Sequence, residues 1–190
     1  MSSAGFVLDL GRCVGCGACV LACRLENSWP PEVAWRRVIS LNLDRYPDGP
    51  TYHFSLACHH CSQPACLNAC PSGAYERHSS GAVVLRQDRC LGCRYCEMAC
   101  PFGAPAYDQS ARVMTKCDLC SQRLDSGREP ACTAACPTGA LSFRKSSEWG
   151  RQTIPGFVDP AGCRPHLQLG EPRGRRRTSR FRKLQETLER

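Results

Sequence analysis

The stretch Cys90-Leu-Gly-Cys93-Arg-Tyr-Cys96-Glu-Met-Ala-Cys100-Pro101 carries four cysteines at the spacing C-x2-C-x2-C-x3-C-P. Bacterial proteins that hold two 4Fe-4S clusters use this spacing, and the fourth cysteine of the run ligates the other cluster of the pair. Three thiolates at three-residue steps can hold one cluster, while the fourth points away from it. The stretch therefore predicts an iron–sulfur protein with a partner run elsewhere in the chain.

Three further groups of four cysteines satisfy this expectation. The second group has the spacing x2, x4, x3 before proline, the fourth has eleven residues between its second and third cysteines, and in the first Arg24 takes the place of the proline. We therefore predict four 4Fe-4S clusters with sixteen cysteine ligands. The first, second and fourth groups are Cys13, Cys16, Cys19 and Cys23; Cys58, Cys61, Cys66 and Cys70; and Cys117, Cys120, Cys132 and Cys136.

The order of the groups along the chain predicts how they share ligands. Groups two and three are adjacent, and groups one and four flank them. Exchange of the fourth cysteine within each of these pairs predicts four ligand sets. The sets are Cys58, Cys61, Cys66 and Cys100; Cys90, Cys93, Cys96 and Cys70; Cys13, Cys16, Cys19 and Cys136; and Cys117, Cys120, Cys132 and Cys23.

This sharing predicts an α+β fold class with two nested ferredoxin-like dicluster modules. The inner module would contain residues 50–108, the outer module residues 1–49 and 109–145, and residues 146–190 would form an extended basic C-terminal segment. Nesting of the outer groups would bring two terminal strands together, at 5–10 and 140–144. Apolar runs between turn residues also predict strands at 52–57 and 113–116, and a hairpin from 74–77 and 82–86.

The net charge of +8 over 190 residues does not by itself indicate a nucleic-acid partner. An oxidised 4Fe-4S cluster with four thiolates carries a charge of about −2, so four clusters would bring the holoprotein close to neutrality. Residues 171–190 hold eight Arg or Lys and three Glu. We expect this tail to be disordered, or to form a short amphipathic helix at 181–188. An iron–sulfur nucleic-acid protein would use it for phosphate contacts, but no basic groove with interleaved aromatic residues accompanies it.

Other kinds of cysteine-rich site fit the sequence less well. Neither a disulfide scaffold nor a zinc site requires a third cysteine at x2 and a fourth at x3 before proline. His59 and His60 could ligate iron as in Rieske centres, but four cysteines per group favour hydrogen bonding near a cluster instead. Cys163, the odd one of seventeen cysteines, is expected to be a thiol that is not a ligand.

The remaining sequence features concern membranes, nucleotides and folding. The chain has no apolar run of about 18 residues, so any membrane contact should come through partners rather than a direct span. It has neither a GxGxxG motif nor a Walker loop, so no nucleotide site is expected. Because only 42% of the residues are hydrophobic, cysteines included, we expect the cluster-free chain to be largely unfolded.

Three segments carry a more specific resemblance: CHHCSQPACLNACPSGA (58–74), CLGCRYCEMACPFGAPAYD (90–108) and KCDLC (116–120). They resemble the four-cluster iron–sulfur electron-transfer subunits of molybdopterin oxidoreductases, most closely those of dimethyl sulfoxide reductase. The resemblance extends from residue 5 to about residue 145. The family pattern has proline where this chain has Arg24.

The resemblance implies a relay without substrate chemistry of its own. Such a subunit passes single electrons between a molybdopterin catalytic subunit and a quinone-reactive membrane anchor. It would be membrane-associated through these partners, on the cytoplasmic side, or on the periplasmic side if it were exported with a signal-bearing partner. The alternative is an equivalent wire in a formate dehydrogenase, a hydrogenase, or a polysulfide, thiosulfate or sulfite oxidoreductase.

Overall fold

The structure, a computed structural model, describes residues 3–45, 51–147, 149 and 162–170. These residues form short strands and short helices that cysteine-bearing loops connect, which is an α+β arrangement. The strands are β1 Ser3–Asp9, β2 Arg36–Leu41, β3 Tyr52–Ala57, β4 Tyr75–Arg77, β5 Val83–Leu85, β6 Ala106–Asp108, β7 Val113–Thr115, β8 Leu141–Ser146 and β9 Leu167–Gly170. The helices are α1 Ala18–Asn27, α2 Ala65–Asn68, α3 Tyr95–Ala99, α4 Ser121–Asp125 and α5 Ala131–Ala134, with 3-10 turns at Leu43–Arg45 and Gln87–Arg89.

A three-stranded sheet of order β8-β1-β9 joins the two ends of the described chain. β1 is antiparallel to β8, from Ser3 opposite Ser146 to Leu8 opposite Leu141. This pairing confirms the prediction that the strands near residues 5–10 and 140–144 meet. β1 is also parallel to β9, which the sequence did not predict. Gly5 is required on β1 because a Cβ there would collide with the backbone of His166.

The other strands form three two-stranded hairpins, β2-β3, β4-β5 and β6-β7. The predicted strand 52–57 is β3, the predicted strand 113–116 is β7, and the predicted hairpin is β4-β5. The boundaries predicted at 49/50 and 108/109 fall between the paired strands of β2-β3 and β6-β7. Backbone hydrogen bonds therefore connect segments assigned to different modules, and the division into modules stays a prediction.

The C-terminal segment is described only in part. Residues 162–170, predicted to be extended, lead into β9 and lie on the body of the protein. The tail from residue 171, with the possible helix at 181–188, lies outside the described residues. Within the described part of the chain, no helix is both long enough and apolar enough to cross a membrane.

Two small hydrophobic clusters stabilise the fold, and cysteine side chains are part of both. The larger cluster contains Phe6 and Leu8 of β1, together with Trp29, Leu119 and Leu167. The smaller contains Tyr75, Val83 and Met114 with two of the predicted ligands. Because so much of the buried surface belongs to cysteines, what those cysteines hold is coupled to the stability of the fold.

Candidate iron–sulfur sites

The cysteine loops turn through residues in the left-handed region of backbone conformation. In group one these residues are Gly15 and Gly17, with φ of 71° and 76°, and in group three the corresponding residues are Gly92 and Arg94, with φ of 66° and 63°. Glycine adopts this conformation without strain. At residue 15 it is also needed for space, because a Cβ would lie 2.7 Å from the His53 ring. The turns place the third cysteine of each run in the first turn of α1 or α3.

The residue after the fourth cysteine decides where the helix ends. In groups two, three and four it is proline, and the helices before it have only four or five residues. Proline disfavours helical conformation in the residue that precedes it. Group one has Arg24 instead, and α1 continues for ten residues to Asn27, so that Cys23 lies inside the helix. Trp29 Nε1 then donates a hydrogen bond to the Cys23 carbonyl at 3.1 Å.

Site C is the set Cys58, Cys61, Cys66 and Cys100, which line one cavity. Burial is the largest cause that raises the pKa of Cys66 to about 12, and the neighbouring Cys58 and Cys100 act in the same direction. Burial also raises the pKa of Cys61, again with Cys58 and Cys100 among its neighbours. The structure thus brings three cysteines of group two together with the fourth cysteine of group three.

Site A is the set Cys13, Cys16, Cys19 and Cys136, which line a second cavity. Burial raises the pKa of Cys13, and Cys19, Cys136 and Cys16 add to the effect. Ser55 Oγ lies 3.3 Å from Cys19 Sγ. Three cysteines of group one therefore face the fourth cysteine of group four.

Site B is the set Cys117, Cys120, Cys132 and Cys23, all of which are buried. Burial raises the pKa of Cys23 to about 12; the Arg36 guanidinium opposes this shift, and Cys132 and Cys120 reinforce it. Burial also raises the pKa of Cys117 well above its ordinary value, with Cys23 as the next cause. The fourth cysteine of group one is therefore among the cysteines of group four.

Site D is the set Cys90, Cys93, Cys96 and Cys70. Burial raises the pKa of Cys96, and the nearby Cys90 and Cys70 act in the same direction. Cys90 Sγ also accepts a hydrogen bond from the Met114 N–H at 3.3 Å. Cys93 lies exposed in the loop between Cys90 and Cys96. Site D is the more open counterpart of site C.

The repeated C-P-S/T-G-A segments surround the fourth cysteine with hydrogen-bond donors. The Ala74 N–H donates to Cys70 Sγ at 3.4 Å, and the Leu141 N–H donates to Cys136 Sγ at 3.4 Å. Burial would raise the pKa of both thiols, but hydrogen bonds outweigh it, chiefly from the Ser72 hydroxyl for Cys70 and from the Leu141 N–H for Cys136. Both pKa values therefore lie below the ordinary value, which favours the thiolate form that iron requires.

The arrangement of the donors fits clusters better than single metal ions. A tetrahedral zinc lies about 2.3 Å from each sulfur ligand, so the ligands must converge on one point. Among the described residues, which include all seventeen cysteines, no group of three or more His, Cys, Asp or Glu side chains converges in this way. No disulfide joins any of these cysteines. At sites A and C the four cysteines line one cavity each, as ligands of a cubane with irons at separate corners would.

Cys163 lies beside site C, a position that sequence reasoning missed. It is 2% exposed and lines the same cavity as the four cysteines of the site. The segment around it is bonded to the group two loop: the Ser62 N–H donates to the Arg164 carbonyl, and the Gln63 N–H to the Cys163 carbonyl, both at 3.0 Å. Nothing in the spacing of Cys163 could have indicated this position, because long-range backbone pairing creates it.

Buried side chains connect neighbouring sites. His60 Nδ1 accepts a hydrogen bond from the Val83 N–H at 3.1 Å, so a neutral His60 carries its hydrogen on Nε2. That nitrogen lies 3.7 Å from Cys117 Sγ, which joins the site C loop to site B. Both ring nitrogens of His60 are thus engaged, which favours the hydrogen-bonding interpretation over iron ligation.

The remaining contacts between sites place the four in a row. Cys66 of site C and Cys96 of site D belong to one buried cluster, and the charge on Cys96 contributes to the raised pKa of Cys66. At the other side of site B, Arg36 lies near cysteines of both site B and site A. The order of the sites is therefore D, C, B, A.

Comparisons with known proteins identify matching 4Fe-4S family models and relatives. A family model described as a 4Fe-4S dicluster domain matches residues 50–146, and a 4Fe-4S binding domain matches residues 6–25. One chain of the anaerobic dimethyl sulfoxide reductase of Escherichia coli (strain K12) is 44% identical over 147 residues, which are 73% of this chain and 72% of that protein.

Two further relatives have other substrates in their names. One subunit of the sulfite dehydrogenase of Allochromatium vinosum is 37% identical over 165 residues, 75% of this chain and 69% of that protein. A thiosulfate reductase electron transfer subunit of Salmonella typhi is 37% identical over 144 residues, 74% of each chain. The predicted resemblance is confirmed: this protein belongs to the iron–sulfur electron-transfer subunits of the dimethyl sulfoxide reductase type, which bind 4Fe-4S clusters.

Proposed function

We propose that the chain relays single electrons through four 4Fe-4S clusters, one at each of sites A to D, between a molybdopterin catalytic subunit and a quinone-reactive membrane anchor. The observation that carries this proposal is the serial order of the sites with an exposed cysteine at each end. Cys16 of site A and Cys93 of site D are exposed, whereas every cysteine of site B is buried. A row of sites with two accessible ends is what a wire between two partners requires.

The sixteen cysteines are the proposed iron ligands, in the four sets that define the sites. A bound 4Fe-4S cluster accepts and donates one electron at a time. Four thiolates at each site leave no open coordination position for a substrate. The residues of this chain therefore hold and orient the clusters and exclude water from the interior sites, and catalysis belongs to a partner.

Exposed apolar side chains beside the two end sites support docking of partners there. At site A, Val14 lines the cavity and is 49% exposed, and in the group three run Leu91 and Met98 are 71% and 73% exposed. Exposed apolar groups of this size are typical of protein interfaces when they are clustered. We assign one partner to each end, and we infer membrane association through the anchor, on the cytoplasmic side, or on the periplasmic side after export with a signal-bearing partner.

The relatives also favour a second candidate. The sulfite dehydrogenase and thiosulfate reductase subunits match over three quarters of this chain, so the wire could serve a sulfite or thiosulfate enzyme. The higher identity of 44% with the dimethyl sulfoxide reductase protein of Escherichia coli favours dimethyl sulfoxide or a related acceptor. Isolation of the complex from its host and identification of the large subunit distinguish these candidates.

The test compares the isolated holoprotein with the complete complex. The isolated chain should contain about sixteen irons, take up electrons reversibly, and reduce no dimethyl sulfoxide until the catalytic subunit is added. Turnover by the isolated chain at the rate of the complex would refute the relay. About eight irons per chain would refute the four-cluster count.

A further inference from the structure

Arg36, the first residue of β2, is a buried cation without enough acceptors. Its side chain is 1% exposed. Nη1 donates to Ser55 Oγ at 2.8 Å, but Nε and Nη2 have no hydrogen-bond partner among the described residues. No carboxylate of the described chain pairs with Arg36. A buried charge is stable only when it is paired and hydrogen-bonded, so the acceptors must come from something that the polypeptide alone does not supply.

The surroundings of Arg36 identify the missing acceptor as anionic sulfur. Arg36 stacks on Phe6, which belongs to the same buried cluster as Cys19 of site A and Cys23 and Cys132 of site B. Ser55, which accepts its hydrogen bond, also lies beside Cys19 Sγ. Arg36 thus lies between two cysteine sets that converge from opposite ends of the chain.

Two contacts fix the guanidinium at this position. Arg36 Cζ lies 4.5 Å from the centroid of the Phe6 ring, a cation–π contact. Ser55, which accepts the hydrogen bond from Nη1, is itself 3.3 Å from Cys19 Sγ. Because β2 and β3 pair in register, both groups are held on rigid backbone. These contacts hold the cation beside both sites.

We propose that Arg36 is a shared cation that compensates the charge of the clusters at sites A and B and raises both of their reduction potentials. The inference rests on the proposed function, because it requires clusters at both sites. One-electron reduction of a cluster adds one negative charge and changes no covalent bond. A fixed cation in a low-dielectric interior stabilises the reduced form more than the oxidised form. Arg36 therefore acts through its fixed positive charge and does not itself carry the electron.

The structure also predicts where the effect should end. The contacts of Arg36 lead through Ser55 and Phe6 to cysteines of sites A and B, so site C should respond less than these two sites. Site D lies at the far end of the row, and its potential should not respond. This gradient distinguishes a local charge from a general change in the fold.

The test uses the complete complex with Arg36→Met, Arg36→Gln, Arg36→Lys and the control Arg37→Met. Arg37 is the next residue of β2, and its exposed guanidinium donates to the carbonyls of Phe102 and Gly103. Midpoint potentials are measured by redox titration with electron paramagnetic resonance. Arg36→Met should lower the equilibrium constant for reduction at least tenfold at two of the four clusters, which is ~59 mV for a one-electron couple. Arg36→Lys and Arg37→Met should change these two equilibrium constants by less than threefold from the wild type.

If a variant fails to assemble its clusters, the measured iron content decides the outcome. If Arg36→Met and Arg36→Gln lose iron from two sites while Arg36→Lys keeps it, a cation is required at this position and the proposal is supported. If Arg36→Lys loses the same iron or shows the same shifts as Arg36→Met, or if Arg36→Met leaves all four potentials unchanged, the proposal is overturned. A wild-type complex with fewer than four clusters would instead refute the proposed function.

Discussion

Replacement of Cys100 by alanine is expected to remove the cluster of site C, although Cys100 belongs to the sequence run of site D. In the structure Cys100 lines the cavity of Cys58, Cys61 and Cys66. Cys70, the fourth cysteine of group two, lies instead near Cys96. The sequence run and the spatial set therefore make opposite predictions for this substitution.

Double variants turn this difference into a count of iron atoms. Four 4Fe-4S clusters correspond to about sixteen irons per chain, so a variant that loses one cluster should retain about twelve. Cys100→Ala combined with Cys58→Ala affects one site and should also retain about twelve, whereas Cys100→Ala combined with Cys96→Ala affects two sites and should retain about eight. Substitutions at one site are non-additive and those at independent sites are additive.

Anaerobic iron analysis of the complex after gel filtration measures these values. Cys163→Ala is the matched control, because Cys163 lines the same cavity but belongs to none of the four sets, and it should keep about sixteen irons. The reverse pattern, with about eight irons in the Cys100/Cys58 variant and about twelve in the Cys100/Cys96 variant, would refute the crossed arrangement.

Three further outcomes are expected. His60→Ala should lower the reduction potential of the site B cluster, because it removes the donor 3.7 Å from Cys117 Sγ; an unchanged redox titration would contradict this. Burial and the charge of Arg77 lower the pKa of His166 below 6.5, although its hydrogen bond to the Ala4 carbonyl acts in the opposite direction. The contribution of the uncharged His166 to stability is therefore present above pH 6.5 and is lost as the pH falls below it. Between pH 7.5 and 5.5 the melting temperature of the holoprotein should therefore fall less in His166→Gln than in the wild type. Removal of the clusters by a chelator should abolish most secondary structure in circular dichroism, and a retained spectrum would refute this expectation.

Much of the fold could be predicted because the spacing of cysteines and turn residues indicates where the strands lie. The pairing of β1 with β8 follows from nesting of groups one and four, and the hairpin β4-β5 follows from turn residues between two apolar runs. β9 could not be predicted, since its pairing with β1 depends on contacts between residues far apart in the sequence. The same holds for Cys163 at site C and for Arg36 between sites A and B, because neither lies within a recognisable motif.

The placement of buried charge accounts for how interior clusters can be stable in so small a protein. Among the described residues the buried charged side chains are Arg36 and Lys116, and both are cations. Arg36 lies between sites A and B, while Lys116 lines the site C cavity and donates to the Cys117 carbonyl at 2.7 Å.

Each cluster with four thiolates carries about −2, and burying such a charge is costly unless a cation compensates it. At the end sites A and D the negative charge is stabilised in other ways. Cys16 and Cys93 are exposed to solvent, and the N–H groups of the C-P-S/T-G-A turns donate to sulfur. The two buried cations, Arg36 and Lys116, therefore stabilise the interior clusters more than the overall net charge of +8 does. A substitution at either one should disturb the interior sites more than a change of several charges in the basic tail.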